Sequence, residues 1–352
     1  MFPVPEAVGA EAPPTVQGTQ PTPVPVGAAS AATNEAAIFP APEAAGADGP
    51  RPPGTAPAAH AAGLARSAAT NAIANASVHA AATPQRLGRL AVASLHAELA
   101  CAPKPGLVTP FDRGSHDDMD ASTFLRSLFA LRGYFVAIAA AGARDDAFPA
   151  LRALGIAAER AMLRATGGVN THRGAIFSLG LLVAAAARLR THAATPPRAE
   201  AVCATVGRWR EALLDAPLDP HSHGQRMRRA HGVAGVREQA AAGFPLLRGH
   251  ALPALRGALQ AGLDERAALA QTLMNLIAHT DDLNLLHRGG RAGLAFAQRS
   301  ARAFLAAGGA ARDGWPARLA SIGDAFVARR LSPGGSADLL ACAWFLHRQE
   351  RA

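Results

Sequence analysis

Apolar positions recur at the helical interval over most of this chain. Phe124, Leu128, Leu131, Phe135 and Ile138 follow one another at steps of four, three, four and three, which puts them on one helix face. Asp120 can cap that helix at its start and Gly142 can stop it. Similar patterns predict helices over 86–101, 149–166, 173–190, 197–214, 224–241, 264–280, 290–307, 316–330 and 335–349. No stretch alternates apolar and polar residues between hairpin turns, so no strand is predicted. The expected fold is all-α, a single domain of ten or more helices over 86–350.

Residues 1–62 break the pattern. They are mostly Ala, Pro, Gly, Thr and Val, without an apolar period and with many helix-breaking prolines. Such a segment buries too little surface to offset its ordering entropy, so a disordered extension is expected there, with 63–85 a linker or short helix. It lacks the basic start, apolar run and cleavage site of a secretory signal. The run "AIFSLGLLVAAAA" (175–187) is too short for a bilayer and predicts a core helix. Cys101, Cys203 and Cys342 are odd in number and outside any C-x-x-C, which fits reduced thiols in a cytoplasmic protein.

Charge narrows the partners. The chain carries a formal net charge of +9, while the acidic 1–62 segment has five acids and one arginine. The helical part is therefore strongly basic, as suits a phosphate-rich ligand, a nucleic acid or an acidic protein. Aromatics are few and do not interleave with the arginines, against a nucleic-acid stacking surface. Neither G-x-x-x-x-G-K-[ST] nor a strand–G-x-G-x-x-G–helix occurs, so a bound nucleotide is not held by either common phosphate loop.

The helix junctions are dense in residues that packing does not need. In "TGGVNTHRG" (166–174), Gly167 and Gly168 permit positive φ, and the helix from Arg173 offers its free amides and dipole to an anion. Asn170, Thr171 and His172 add short polar groups; the competing reading is that the glycines end one helix and Asn170 or Thr171 caps the next. "GSHDDMD" (114–120) sets Asp117, Asp118 and Asp120 beside His116, suited to Mg²⁺, to a general base or to a helix N-terminus. "HTDDLNLLHRGG" places Asp281 and Asp282 after a helix, against its dipole, with Asn284 and Arg288 following. The His221/His223 pair has Zn²⁺-compatible spacing but no nearby third ligand, and capping or phosphate contact fits it better. Arg226, Arg228 and Arg229 fall on more than one helix face, so part of that cluster is solvated surface. Lys104, the only lysine, lies between Pro103 and Pro105, just ahead of the aspartates.

"PKPGLV" with "GSHDDMD", then "TGGVNTHRG", "GVREQAAAGFP" (235–245), "DDLNLLHRGG" and "SPGGSADLLA" (332–341) together resemble the triphosphoribosyl-dephospho-CoA synthase family over about 86–350. The resemblance implies a helical pentosyltransferase of prosthetic-group biosynthesis. Its substrates would be ATP and 3′-dephospho-CoA, with Mg²⁺, and its product the prosthetic-group precursor of an acyl carrier subunit. Malonate decarboxylase is preferred to citrate lyase as the destination. No nucleic acid or membrane is expected, and contact with the prosthetic-group transferase or the carrier would be transient.

On this reading Lys104, Arg173 and the Gly167–Gly168 turn hold triphosphate. Asp118, Asp281 and Asp282 hold Mg²⁺, or one serves as base, with His116 and Asn170 also at the chemistry. Asn170, Thr171, His172 and Asn284 orient the nucleoside, and Arg237 and Arg288 meet dephospho-CoA phosphates. Two positions depart from the family pattern: Arg173 stands where Lys is usual in "NTHKG", and Arg237-Glu238-Gln239-Ala240 where Arg-Gly-Glu-Ala is usual. A nucleotide N-glycosidic hydrolase and a catalytically inactive carrier-binding protein are the competing readings.

Overall fold

The computed structural model describes residues 83–193, 195–215 and 230–351. The expectations for 1–62 and 63–82, for His221 and His223, and for Arg226, Arg228 and Arg229 lie outside the described residues. Within them the chain forms twelve α-helices and no strand. The helices are α1 (83–100), α2 (Ala121–Ala143), α3 (Phe148–Ala165), α4 (Arg173–Arg190), α5 (Ala199–Gly207) and α6 (Arg210–Asp215). They continue as α7 (Val236–Ala241), α8 (Leu252–Gln260), α9 (Glu265–His279), α10 (Leu283–Ala306), α11 (Trp315–Val327) and α12 (Gly334–Gln349).

Three nearly all-apolar helices make the centre. Ala175 to Ala187 of α4, Ala267 to Ala278 of α9 and Ser336 to Leu346 of α12 are buried almost throughout, as expected of helices apolar all round. α12 packs on both α4 and α9; α2 and α3 cover α4, and α8 and α10 cover α9. The run at 175–187 is therefore a core helix, as its pattern predicts. α2 alone among the described residues is long and apolar enough to cross a membrane, yet Leu128, Leu131, Phe135 and Ile138 of its predicted face are buried.

Asp120 caps α2, its carboxylate accepting from the Thr123 amide at 3.0 Å. Gly142 does not stop the helix. It lies one residue inside its end, where a Cβ would overlap the Ala184 carbonyl of α4, so its smallness serves helix–helix approach. Other boundaries shift for local reasons. The predicted 197–214 helix divides into α5 and α6, and the 224–241 prediction keeps α7 as its second part, after Gly232 at φ 67°. α10 begins at Leu283 rather than 290, with a kink where Gly290 adopts φ 59°. α8 is not among the predicted helices because Pro253 reads as a breaker; it occupies the first turn, where a missing N–H costs no helical bond. A π turn, Leu247–Ala251, leads into it.

Candidate active site

The junctions singled out in the sequence meet at the N-terminal ends of α4 and α12 and in the α9–α10 connection. Ser115 donates from Oγ to the Leu331 carbonyl at 2.6 Å, and His116 Nε2 lies 2.9 Å from Ser332 Oγ. Arg288 ties the same two segments to α10, donating to the Ser115 carbonyl at 2.8 Å and to His116 Nδ1 at 3.1 Å. Since Nδ1 accepts, the ring proton sits on Nε2 and faces Ser332. Burial and the Arg288 charge lower the His116 pKa, so the ring is neutral.

Asp282 joins the α9–α10 turn to α12. It caps α10 through the Asn284 amide at 2.9 Å and accepts from both the amide and hydroxyl of Ser336, at 2.8 and 3.0 Å. Gly335 lies so close that a Cβ there would stand 3.2 Å from both Asp282 oxygens. Burial raises the Asp282 pKa, while these donors pull it back.

A cavity of about 800 Å³ opens beside these contacts. One part is apolar, with Phe148, Leu151, Phe177, Leu181, Leu213 and Leu246 from α3, α4, α6 and the approach to α8. The other is polar and collects Asn170, Thr171, His172, Arg173, Arg237, Gln239, Asp281, Asp282, Asn284 and Arg288. Thr171 Oγ1, His172 Nε2, Ser178 Oγ, Gln239 Oε1 and Thr280 Oγ1 line it without a protein partner. Buried polar atoms are usually paired, so these five leave the cavity with hydrogen-bonding capacity that a polar ligand can use.

His172 is the N-cap residue of α4 and is 2 % exposed. Its Nδ1 meets Ser127 Oγ of α2 at 2.7 Å, which turns Nε2 toward the cavity. Burial, then the nearby Lys104 charge, push its pKa down to about 3, so it stays neutral at physiological pH. Asn170 accepts the Arg173 amide at 3.1 Å through Oδ1, and Arg173 Nε lies 3.2 Å from Glu159 on α3.

Four expectations change. Lys104 does not face the cavity: its ammonium is buried against Glu98, at 2.6 Å from both the carboxylate and the backbone carbonyl. A lone buried ammonium would cost several kcal/mol, and Glu98 of α1 is what allows it there. Gly167 and Gly168, at φ 68° and 92°, end α3, with the Gly168 amide donating to Leu163 at 2.7 Å; they are exposed and do not line the cavity. Their glycines answer the demand of the turn, as in a helix C-cap. His116 and Arg288 border the cavity, but both His116 ring nitrogens and both Arg288 Nη atoms are engaged in holding the segments together. Among the described residues no three His, Cys, Asp or Glu side chains converge as a metal cage, and the Asp282 oxygens are taken by amides and a hydroxyl. Asp281 remains exposed at the cavity, and Asp118, also exposed, lies beside the rim with Oδ1 3.7 Å from His116.

Four carboxyls that line the cavity, Glu98, Glu159, Glu238 and Asp338, are not among the site residues the sequence suggests, and Asp338 is the one with no cation beside it. Asp338 of α12 reaches the first turn of α4 and takes the Ala175 amide. A Cβ on Gly174 would overlap its Oδ2. Burial first, then Glu98 and Asp282, hold its pKa well above the ordinary carboxylate range. The available signal was an acid on the apolar face that follows "SPGGS".

Residues 84–352 match the family described as ATP:dephospho-CoA triphosphoribosyl transferase. The chain is 41% identical over 264 residues to the 2-(5''-triphosphoribosyl)-3'-dephosphocoenzyme-A synthase of Pectobacterium atrosepticum, covering 72% of this chain and 86% of that one. It is 40% identical over 268 residues to the synthase of the same name from Klebsiella pneumoniae, covering 72% and 87%. No solved structure matches. With its junction motifs assembled round one cavity, the chain belongs to the ATP:dephospho-CoA triphosphoribosyl transferase family.

Proposed function

We propose that this protein transfers the 5-triphosphoribosyl group of ATP to the 2′-hydroxyl of 3′-dephospho-CoA and releases adenine. One observation carries the reading: the family's motifs, distant in sequence, line a single cavity whose polar part holds a set of unpartnered side-chain atoms. Such a cavity must bring two polyanions together and exclude water from a carbocation-like ribose.

The residues divide the work by position. Arg173 and Arg237 supply fixed positive charge, and the α4 N-terminus adds its dipole. Thr171 Oγ1, His172 Nε2 and Gln239 Oε1 offer hydrogen bonds to base, ribose or acceptor hydroxyl. Neutral His172 can donate or accept but carries no charge to repel the oxocarbenium state. The apolar part suits the uncharged arm of dephospho-CoA.

Mg²⁺ fits as a companion of the triphosphate rather than as a caged ion. It commonly takes one or two carboxylates and fills its octahedron with phosphate oxygens and water, and Asp281 and Asp118 have exposed carboxylates for this. Bound there, it would neutralise phosphate charge. Free, buried thiols at Cys101, Cys203 and Cys342 support a reducing cytoplasmic setting. The product would serve as precursor of a carrier subunit's prosthetic group, in malonate decarboxylase rather than citrate lyase; offering both purified carriers to the downstream transfer reaction separates the two.

The test is adenine release from ATP with and without dephospho-CoA. Release that requires the acceptor and yields a product of the combined mass supports the transferase. Adenine formed equally without acceptor makes the protein a hydrolase.

A further inference from the structure

Three carboxyls line the cavity close enough to act on one another's charge, on α1, on the α9–α10 turn and on α12. Their surroundings differ in one respect. Glu98 has the Lys104 ammonium at 2.6 Å, and Asp282 has the Ser336 amide, the Ser336 hydroxyl and the Asn284 amide. Asp338 has the Ala175 amide alone among the described residues.

A carboxyl with a single amide donor, partly buried and near two other carboxyls, holds its proton more tightly than an ordinary carboxylic acid. The groups that face Asp338 are Glu98 from α1, Asp282 from the α9–α10 turn and the Cys342 thiol one helical turn on. None is a cation.

The position is built, not incidental. Gly174 leaves the space that the Asp338 carboxyl fills, immediately after Asn170, Thr171, His172 and Arg173 at the α4 N-terminus. Asp338 therefore faces the same polar part of the cavity as the unpartnered atoms of Thr171 and His172.

We infer that Asp338 is the general acid that protonates the departing adenine. This rests on the transferase reading above. As the N9–C1′ bond breaks, its electron pair goes to the base, and the Asp338 carboxyl proton moves to a ring nitrogen of adenine. The acceptor hydroxyl oxygen forms the new bond to C1′ and gives up its own proton to bulk solvent, from which Asp338 is reprotonated after the products leave. Bonds and protons balance with ATP and dephospho-CoA alone. Once ionised, Asp338 adds negative charge near the electron-poor ribose, which helps until the new bond closes.

The test compares ATP with 7-methyl-ATP, whose base already carries positive charge and leaves neutral without a proton. In the full chain, Asp338→Asn is expected to lower kcat on ATP about 100-fold or more, within the usual range for loss of a general acid. With 7-methyl-ATP the same variant should stay within a few-fold of wild type, which also shows that it folds. In the wild type, kcat on ATP should fall at high pH as Asp338 loses its proton, while kcat on 7-methyl-ATP should not. Equal losses on both substrates, or a high-pH limb common to both, would overturn the assignment. If the wild type itself releases no adenine with dephospho-CoA present, it is the transferase reading that fails.

Discussion

The carboxyl of Asp338 occupies the space that a side chain on Gly174 would take, so two residues 164 positions apart share one site at the start of α4. Gly174→Ala should therefore act on the chemistry and not only on packing. An added methyl there forces Asp338 or the α4 N-terminus to move, at about 1–3 kcal/mol. The expected outcome is a modest loss of stability in urea together with a drop in kcat on ATP of at least tenfold. A variant with wild-type kcat would detach Gly174 from the reaction.

Lys104 makes a separate prediction, because its ammonium meets Glu98 and not a phosphate. Lys104→Met leaves a buried carboxyl without its partner and should cost about 3–5 kcal/mol. Lys104→Met combined with Glu98→Gln should recover much of that loss. Urea unfolding of the two single variants and the double variant measures the coupling. If Lys104→Met raises KM for ATP without loss of stability, the phosphate-facing reading returns.

His172 gives a pH signature in stability. Its folded pKa, about 3, lies below the unfolded value near 6.5. The unfolded chain therefore binds more protons in between, so this contribution is complete above the unfolded pKa and is lost as pH falls toward the folded one. His116, His250 and His347 shift the same way, whereas Asp282, Asp338 and Glu159, with raised pKa values, act in the opposite sense. Comparing wild type with His172→Gln cancels the others. Between about pH 7.5 and 5.5 the wild type should lose about 1.4 kcal/mol more than the variant. Parallel curves would mean that the ring is not held neutral.

Mg²⁺ should be needed with the nucleotide. Chelation is expected to abolish adenine release, and Asp281→Asn should raise the Mg²⁺ concentration giving half-maximal rate several-fold without changing the melting temperature. Asp282→Asn should instead destabilise the fold by about 1–3 kcal/mol, because it caps α10 and receives Ser336. Reversed behaviour of the two neighbours would contradict their assignments.

Much of this was legible in sequence, and the reasons for the rest are physical. The helices follow from an apolar spacing that survives wherever a face is buried; α8 was hidden by Pro253, since a breaker and a first-turn proline look alike without a boundary to measure from. The polar junctions announced the cavity because packing had no use for them. What sequence could not supply was partnership. Lys104 and Glu98 are six residues apart with the end of α1 and Pro103 between them, and nothing in that spacing says their side chains meet. Gly167 and Gly168 look the same whether they cradle an anion or end a helix, and only their distance from the cavity decides. Asp338 lay within a recognised motif, but its importance depends on which carboxyls surround it in space.

As a transferase, this protein joins two substrates in its cavity rather than cleaving one. Mass spectrometry of the purified full chain with ATP, Mg²⁺ and 3′-dephospho-CoA tests this most directly. One new species is expected, with the mass of triphosphoribosyl-dephospho-CoA, formed in equal amount with free adenine and absent when either substrate is omitted. Adenine that appears without that species would contradict transfer.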